Sequence, residues 1–100
     1  MPRQPGKANP PRDPRTARIL EKVRAIPRGF VRTYGDVEPA APRLVGHVLA
    51  TIHDEGVPWH RVVRADGSVP MGPRQLDRLR RECVPLRGDR VDLNQARLPP

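Results

Sequence analysis

One hundred residues make one domain, and with 36% hydrophobic but only 3% aromatic residues its core has to be built from aliphatic side chains. Lys and Arg outnumber Asp and Glu by 19 to 11, which fits a polyanionic partner, nucleic acid first; Lys7 and Lys22 are the only lysines. A lone cysteine, Cys83, excludes a disulfide framework and a thiolate zinc site, and no run approaches the ~20 apolar residues that span a bilayer, so a cytoplasmic, nucleoid-associated protein without a membrane partner is expected. Codon usage in a GC-rich genome would favour Arg, Ala, Pro and Gly, but it does not explain the excess of charge. Arg also forks onto phosphates and stacks on bases, whereas Lys acts as a point charge.

Residues 1–13 read as a disordered basic arm, in which Pro2, Pro5, Pro10 and Pro11 alternate with Arg3, Lys7 and Arg12. Such an arm tracks phosphate or is simply a solvated tail. Asp13-Pro14 then looks like an N-cap followed by proline at the first helical position. Ile19, Leu20, Val23 and Ile26 recur at helical spacing, which predicts a helix from Pro14 to about Ala25, stopped by Ile26-Pro27-Arg28-Gly29. Phe30 to Tyr34 reads as a short strand, and Val37 to Pro42 has room only for a turn or one helical turn.

Pro42 suits the start of a second helix that runs to about His53 and carries Leu44, Val45, Val48, Leu49 and Ile52 inward. Asp54-Glu55-Gly56 is a loop. Val57-Pro58-Trp59-His60-Arg61-Val62-Val63 reads as a half-buried strand, returned by an Asp66-Gly67 turn through Val69. A last helix starts near Arg74, with Leu76, Leu79 and Cys83 inward and Arg78, Arg80 and Arg81 outward. A turn at Arg87 to Arg90 leads into a strand from Val91 to Leu93, and residues 94–100 are expected to form a flexible tail. Helix, strand, turn, helix and a small β wing make a mainly α, winged helix-turn-helix DNA-binding domain over residues 14–93.

Ile26-Pro27-Arg28-Gly29, Thr33-Tyr34-Gly35-Asp36-Val37, Pro42 to Leu49, Pro58-Trp59-His60-Arg61-Val62-Val63 and Asp66-Gly67, in that order, resemble the C-terminal DNA-binding domain of the O6-alkylguanine-DNA alkyltransferases. That family carries Pro-Cys-His-Arg-Val, whose cysteine accepts the alkyl group; here Trp59 stands at that place. The replacement is the mark of the alkyltransferase-like proteins, which bind O6-alkylguanine without repairing it and pass it to nucleotide excision repair proteins. An indole has no lone pair for displacement at a methyl carbon, but it offers an apolar plate for an extruded base.

The resemblance implies a role for each matching residue. Arg43 resembles the finger that fills the space left by the flipped nucleotide, and Tyr34 the tyrosine that crowds the neighbouring phosphate. Ala41, Pro42, Leu44 and Gly46 look like groove contacts of the recognition helix, with Ala65 a further DNA contact. Tyr34, Trp59 and Arg74 are the expected base pocket, Arg74 standing at the lesion's edge. His60 and Glu82 resemble the pair that activates the thiol in active relatives and are expected to be structural here. Cys83 sits where the family usually has a glycine, and a small packed thiol is expected there rather than a substitute nucleophile.

The chain departs from the family pattern in three places. The segment from Tyr34 to Arg43 is about five residues shorter than usual, the asparagine after the recognition helix has no equivalent near Ile52 to Asp54, and a Val69 to Arg74 segment replaces the usual pocket loop. Expected, then, is a monomeric, non-enzymatic sensor of O6-alkylguanine in double-stranded DNA, acting from the minor groove without metal or cofactor. The competing expectation is a winged-helix transcription regulator that binds unmodified DNA.

Overall fold

A computed structural model describes residues 13–52 and 56–99; the basic arm and the centre of the loop after the second helix lie outside them. The first helix, α1, runs Pro14–Arg24, capped as expected by Asp13, whose carboxylate accepts from the Arg15 N–H at 2.9 Å. It buries Ile19, Leu20 and Val23 against α3, Pro42–Thr51, which turns Val45 and Val48 inward. Ile26, Val37, Val57 and Val62 complete this first core, and no aromatic ring is buried in it.

The expected strand from Phe30 to Tyr34 is reduced to β1, Arg32–Thr33. Thr33 is an N-cap instead: its hydroxyl accepts from the Asp36 N–H, and the Asp36 carboxylate accepts from the Thr33 N–H at 3.0 Å. This reciprocal cap starts a single helical turn, α2, Tyr34–Val37, so Tyr34 opens a helix rather than ending a strand. The shortened segment thus leaves one turn where a helix-turn-helix has its first helix. The stretch from Val37 to Pro42 holds a turn, as expected, with Ala41 N–H donating to the Glu38 carbonyl at 3.1 Å, and the helical turn ends where that stretch begins.

The Trp59 stretch is not a strand either. Trp59–Arg61 form a 3-10 turn, closed by Arg61 N–H to the Pro58 carbonyl at 3.0 Å, and only Val62–Val63 (β2) pair, in parallel with Arg32 and Thr33 of β1. Pro58 has no N–H to give a ladder, and the tight turn separates neighbouring side chains instead of alternating them. His60 is buried, while Trp59 is left half-exposed at the surface.

The Asp66-Gly67 turn closes as expected, with Arg64 N–H to the Ser68 carbonyl at 3.0 Å, yet Val69 joins no strand among the described residues. The turn itself is paired further along the chain: Val91 N–H donates to the Gly67 carbonyl at 2.8 Å. Gly67 has φ +85°, and a Cβ there would collide with the Val91 carbonyl, so this close approach requires glycine. The hairpin of the wing is instead Leu86–Arg87 (β3) with Arg90–Val91 (β4), antiparallel around Gly88.

The fourth helix, α4, spans Pro73–Arg81 and buries Gln75, Leu76 and Leu79. Leu79 joins Val31, Val63, Val84, Val91 and Ala96 in a second core. Residues 94–99 are not the expected loose tail. Leu93–Ala96 form a last helical turn, α5, and Val31 and Leu98 tie the following chain to the sheet edge, Leu98 N–H donating to the Val31 carbonyl at 2.9 Å. Arg97 grips Asp36 through two guanidinium nitrogens, and this holds the Asp36 carboxyl at a pKa of about 2.

Cys83 is exposed, not packed, and is the only non-glycine among the described residues with a positive φ, 59°. Cys83 N–H bonds the Arg80 carbonyl and Val84 N–H bonds the Leu79 carbonyl, so Cys83 occupies the left-handed position of a helix-terminating motif. A side chain pays about 1–2 kcal/mol there. Cys83→Gly is therefore expected to raise the unfolding free energy by about 1 kcal/mol in a urea titration; no gain would contradict this account of the cap.

Candidate nucleic-acid interface and base pocket

Between α3 and α4 lies an open cavity of about 490 Å³, walled by Tyr34, Gly46, Leu49, Ala50, Ile52, Trp59, Pro70, Met71, Arg74 and Gln75. That volume is in the range of small-molecule sites, roughly 300–1,000 Å³. The three residues expected to form a base pocket, Tyr34, Trp59 and Arg74, are thus brought together around one hollow. Tyr34 comes from α2 with its ring against Gly46, where an added Cβ would sit 3.8 Å from the Tyr34 Cε1. Burial raises the Tyr34 pKa above its ordinary value, with Arg64 opposing, so the phenol stays a neutral donor.

Trp59 lines the same cavity and lies under two cations. The guanidinium carbons of Arg74 and Arg78 lie 5.1 and 5.3 Å from its ring centroid, within cation–π range. Only Arg74 lines the cavity. The 3-10 turn that presents the indole is fastened from behind by Gln75, 1% exposed, whose amide nitrogen donates to the His60 and Val62 carbonyls at 3.1 and 2.9 Å. The Gln75 amide oxygen accepts from Met71 N–H at 3.1 Å and so holds the rim of the cavity to the same helix.

Behind Trp59, His60 and Glu82 meet as expected, Nε2 to Oε2 at 2.8 Å. Their third partner is Arg61, which donates from Nε and a terminal nitrogen to the two Glu82 oxygens at 2.9 and 2.8 Å and from its other terminal nitrogen to the Ile26 carbonyl at 2.8 Å. The Arg61 hydrogen bonds, helped by His60, hold the Glu82 carboxyl at a pKa of about 2. Burial lowers the His60 pKa, outweighing the pull of Glu82, so the imidazole is held neutral and its Nε2–H donates a hydrogen bond to the carboxylate. Its Nδ1, an acceptor in that tautomer, is buried with no protein partner.

The expected groove contacts cluster at the start of α3. Ala41 is the N-cap without a side-chain bond, Pro42 is the first residue, and Arg43 is exposed with no carboxylate beside it among the described residues. The N-terminal end of α3, with its outward amides and an adjacent free guanidinium, is suited to an anionic backbone. Leu44 differs from that expectation in being half-buried against the first core, and Gly46 faces the cavity rather than the outside. Ala65 is not brought to this site: it lines a separate cleft with Asp66, Arg87 and Arg90.

Sequence reasoning missed Arg61, Gln75 and Arg78. Gln75 and Arg78 lie one and four residues after Arg74, so the helical period alone could have placed Arg78 beside it. No group of three or more His, Cys, Asp or Glu suited to a metal occurs among the described residues, and none of their helices is long and apolar enough to cross a membrane.

Residues 14–84 match the family of the 6-O-methylguanine DNA methyltransferase, DNA binding domain. The chain is 41% identical over 91 residues to the DNA base-flipping protein of Escherichia coli, covering 80% of this chain and 70% of that one. It is 35% identical over 81 residues to alkyltransferase-like protein 1 of Schizosaccharomyces pombe, covering 69% and 75%. The fold superposes with a TM-score of 0.75 on the crystal structure of S. pombe Atl1 in complex with damaged DNA containing O6-carboxymethylguanine, at 29% identity over 86% of this chain and 95% of that one. With a family match over most of its length and these relatives, the chain belongs to the 6-O-methylguanine DNA methyltransferase DNA-binding-domain family.

Proposed function

We propose that the protein is a non-enzymatic sensor that extrudes O6-alkylated guanine from duplex DNA, holds it in the cavity between α3 and α4, and leaves the alkyl group in place. The observation that carries this reading is Trp59 on the cavity wall. By the resemblance of Pro58-Trp59-His60-Arg61-Val62 to the family's motif, the indole takes the position of the alkyl-accepting cysteine. It cannot displace an alkyl group, yet it provides a flat face beside a hollow of base-binding size. The names of the relatives support the same reading, one a base-flipping protein and another solved on damaged DNA.

Selection follows from energetics. Extruding a base costs a few kcal/mol, least for one that pairs badly, and an O6-alkylated guanine pairs badly. Arg43 enters the space that the base leaves, and Tyr34 crowds the phosphate beside it. A lesion that is held but not repaired has to be removed by another activity, which we assign to nucleotide excision repair.

The test is a titration of two duplexes identical except for one O6-methylguanine, with the intact mass of the protein read afterwards. Preferential binding of the lesion with no mass change is expected. Equal affinity for both duplexes would instead favour a regulator of unmodified DNA, and a gain of one methyl group would overturn the non-catalytic reading. Arg43→Ala is expected to weaken lesion binding by about 1 kcal/mol or more, the size of a lost specific contact. An unchanged dissociation constant would remove Arg43 from the mechanism.

A further inference from the structure

Among the described residues, the ion pairs outside α4 join separate segments of the chain: Arg61 with Glu82, Arg97 with Asp36, Arg90 with Asp66, Arg18 with Glu38. Helix α4 is different. Its positions 74, 78 and 81 share one face at spacings of four and three, all three are exposed arginines, and none has a carboxylate partner among the described residues. The nearest acids on the helix are occupied: Asp77 by Arg80 at 3.4 Å, and Glu82 by Arg61 and His60. Arg28 extends the row beyond the helix end, since its guanidinium donates to the Arg81 carbonyl at 3.1 Å and is itself exposed.

The row starts at the base pocket. Arg74 and Arg78 both lie over the Trp59 ring, Arg74 on the cavity side. From Arg74 to Arg81 the helix rises about 10 Å, close to the axial rise of three phosphates on one DNA strand. Unpaired guanidinium groups spaced like phosphates, running away from the mouth of a base pocket, fit one kind of polyanion.

We infer that the outer face of α4, continued by Arg28, is a second DNA-binding track that grips the phosphates of the strand carrying the extruded nucleotide. This rests on the proposed base-flipping reading for its direction along the strand, but its charge can be tested without any lesion. Grip at α3 alone anchors the groove on one side of the extruded base. A second grip along α4 holds the same strand further along its backbone and contributes equally whether or not a base is extruded.

The experiment measures the dissociation constant on an undamaged duplex across a range of salt concentrations, for the wild type, for Arg28→Gln/Arg81→Gln, and for Arg28→Lys/Arg81→Lys. Both positions lie away from the cavity, so the ratio of lesion to plain affinity is expected to stay unchanged. Each phosphate contact contributes about 0.9 to the slope of log affinity against log salt, so the Gln pair should lower the slope by about 1.8. The Lys pair keeps its charge and should keep most of the slope. A slope unaltered by the Gln pair overturns the track, and so does an equal loss in the Lys pair, which would trace the effect to the Arg28 to Arg81 hydrogen bond instead. A wild type without lesion preference would defeat the base-flipping reading while leaving the slope comparison intact.

Discussion

Glu82→Gln is expected to destabilise the protein by about 3–5 kcal/mol, the usual cost of removing one partner from a buried ion pair. The Arg61 and His60 side chains are only 17% and 8% exposed, and Glu82 is the sole carboxylate that either one meets among the described residues. Without it the Arg61 charge stays buried with only the Ile26 carbonyl to answer it. In a domain of this size each kcal/mol moves the melting temperature by about 4–8 °C, so a fall of at least about 12 °C should be seen by calorimetry. Arg61→Met combined with Glu82→Gln should cost less than the two changes added together, because the stranded charge goes with its partner. A loss below 1 kcal/mol for Glu82→Gln would show the triad to be incidental.

The same triad makes stability depend on pH. Glu82 titrates at about 2 in the folded chain and near its ordinary 4.5 when unfolded. Between those values the unfolded chain binds a proton that the folded one refuses, so the stabilisation is complete above about pH 5 and is lost as pH falls toward 2. Asp36, held at about 2 by Arg97, adds a loss in the same acid range, and losing it loosens the α2 turn that presents Tyr34. His60 acts in the same direction at higher pH. Its folded pKa is lowered, so the unfolded chain protonates first and stability begins to fall below about 6.5.

What could be read from the residues alone was whatever repeats at the helical period or carries a proline start. Asp13-Pro14 and Pro42 each open a helix, and Ile19, Leu20, Val23, Val45, Val48, Leu76 and Leu79 point inward as their spacing requires, while the last helix starts at Pro73, one residue before the expected Arg74. The short apolar runs were not legible in this way. Phe30 to Tyr34 and Val57 to Val63 contain the residues of strands, but Thr33 found a better partner in Asp36, and Pro58 favoured a tight turn. The C-terminal residues looked loose because their anchors, Val31 and Asp36, lie some sixty positions away.

The pocket shows the same division. Tyr34, Trp59 and Arg74 came from the resemblance, whereas the roles of Arg61 and Gln75 are defined by contacts across 13 to 21 positions, which no local pattern announces; Arg78 alone was within reach of the helical period. Cys83 is an instructive miss. A cysteine was expected to pack, but the backbone at the end of α4 turns left-handed, and that geometry rather than hydrophobicity decides its exposure.

Trp59→Ala is expected to reduce affinity for an O6-methylguanine duplex by about 10- to 100-fold while leaving affinity for the plain duplex within about two-fold. Stacking of one base on an aromatic side chain is worth about 1–3 kcal/mol by alanine substitution, and a factor of ten is about 1.4 kcal/mol. The plain duplex keeps its base in the stack and meets only the exposed arginines, so it has little to lose. Folding should survive the change, because the indole is half-exposed and its turn is fastened by Gln75 through the backbone carbonyls of residues 60 and 62. Trp59→Phe keeps an aromatic face and should recover part of the lesion affinity. Because Trp59 is the only tryptophan, its fluorescence in the wild type reports stacking directly, and it should change on adding lesion DNA far more than on adding plain DNA. Equal weakening of both duplexes by Trp59→Ala, with fluorescence indifferent to the lesion, would mean that no base stacks on the ring, and the cavity beside it would lose its assigned occupant.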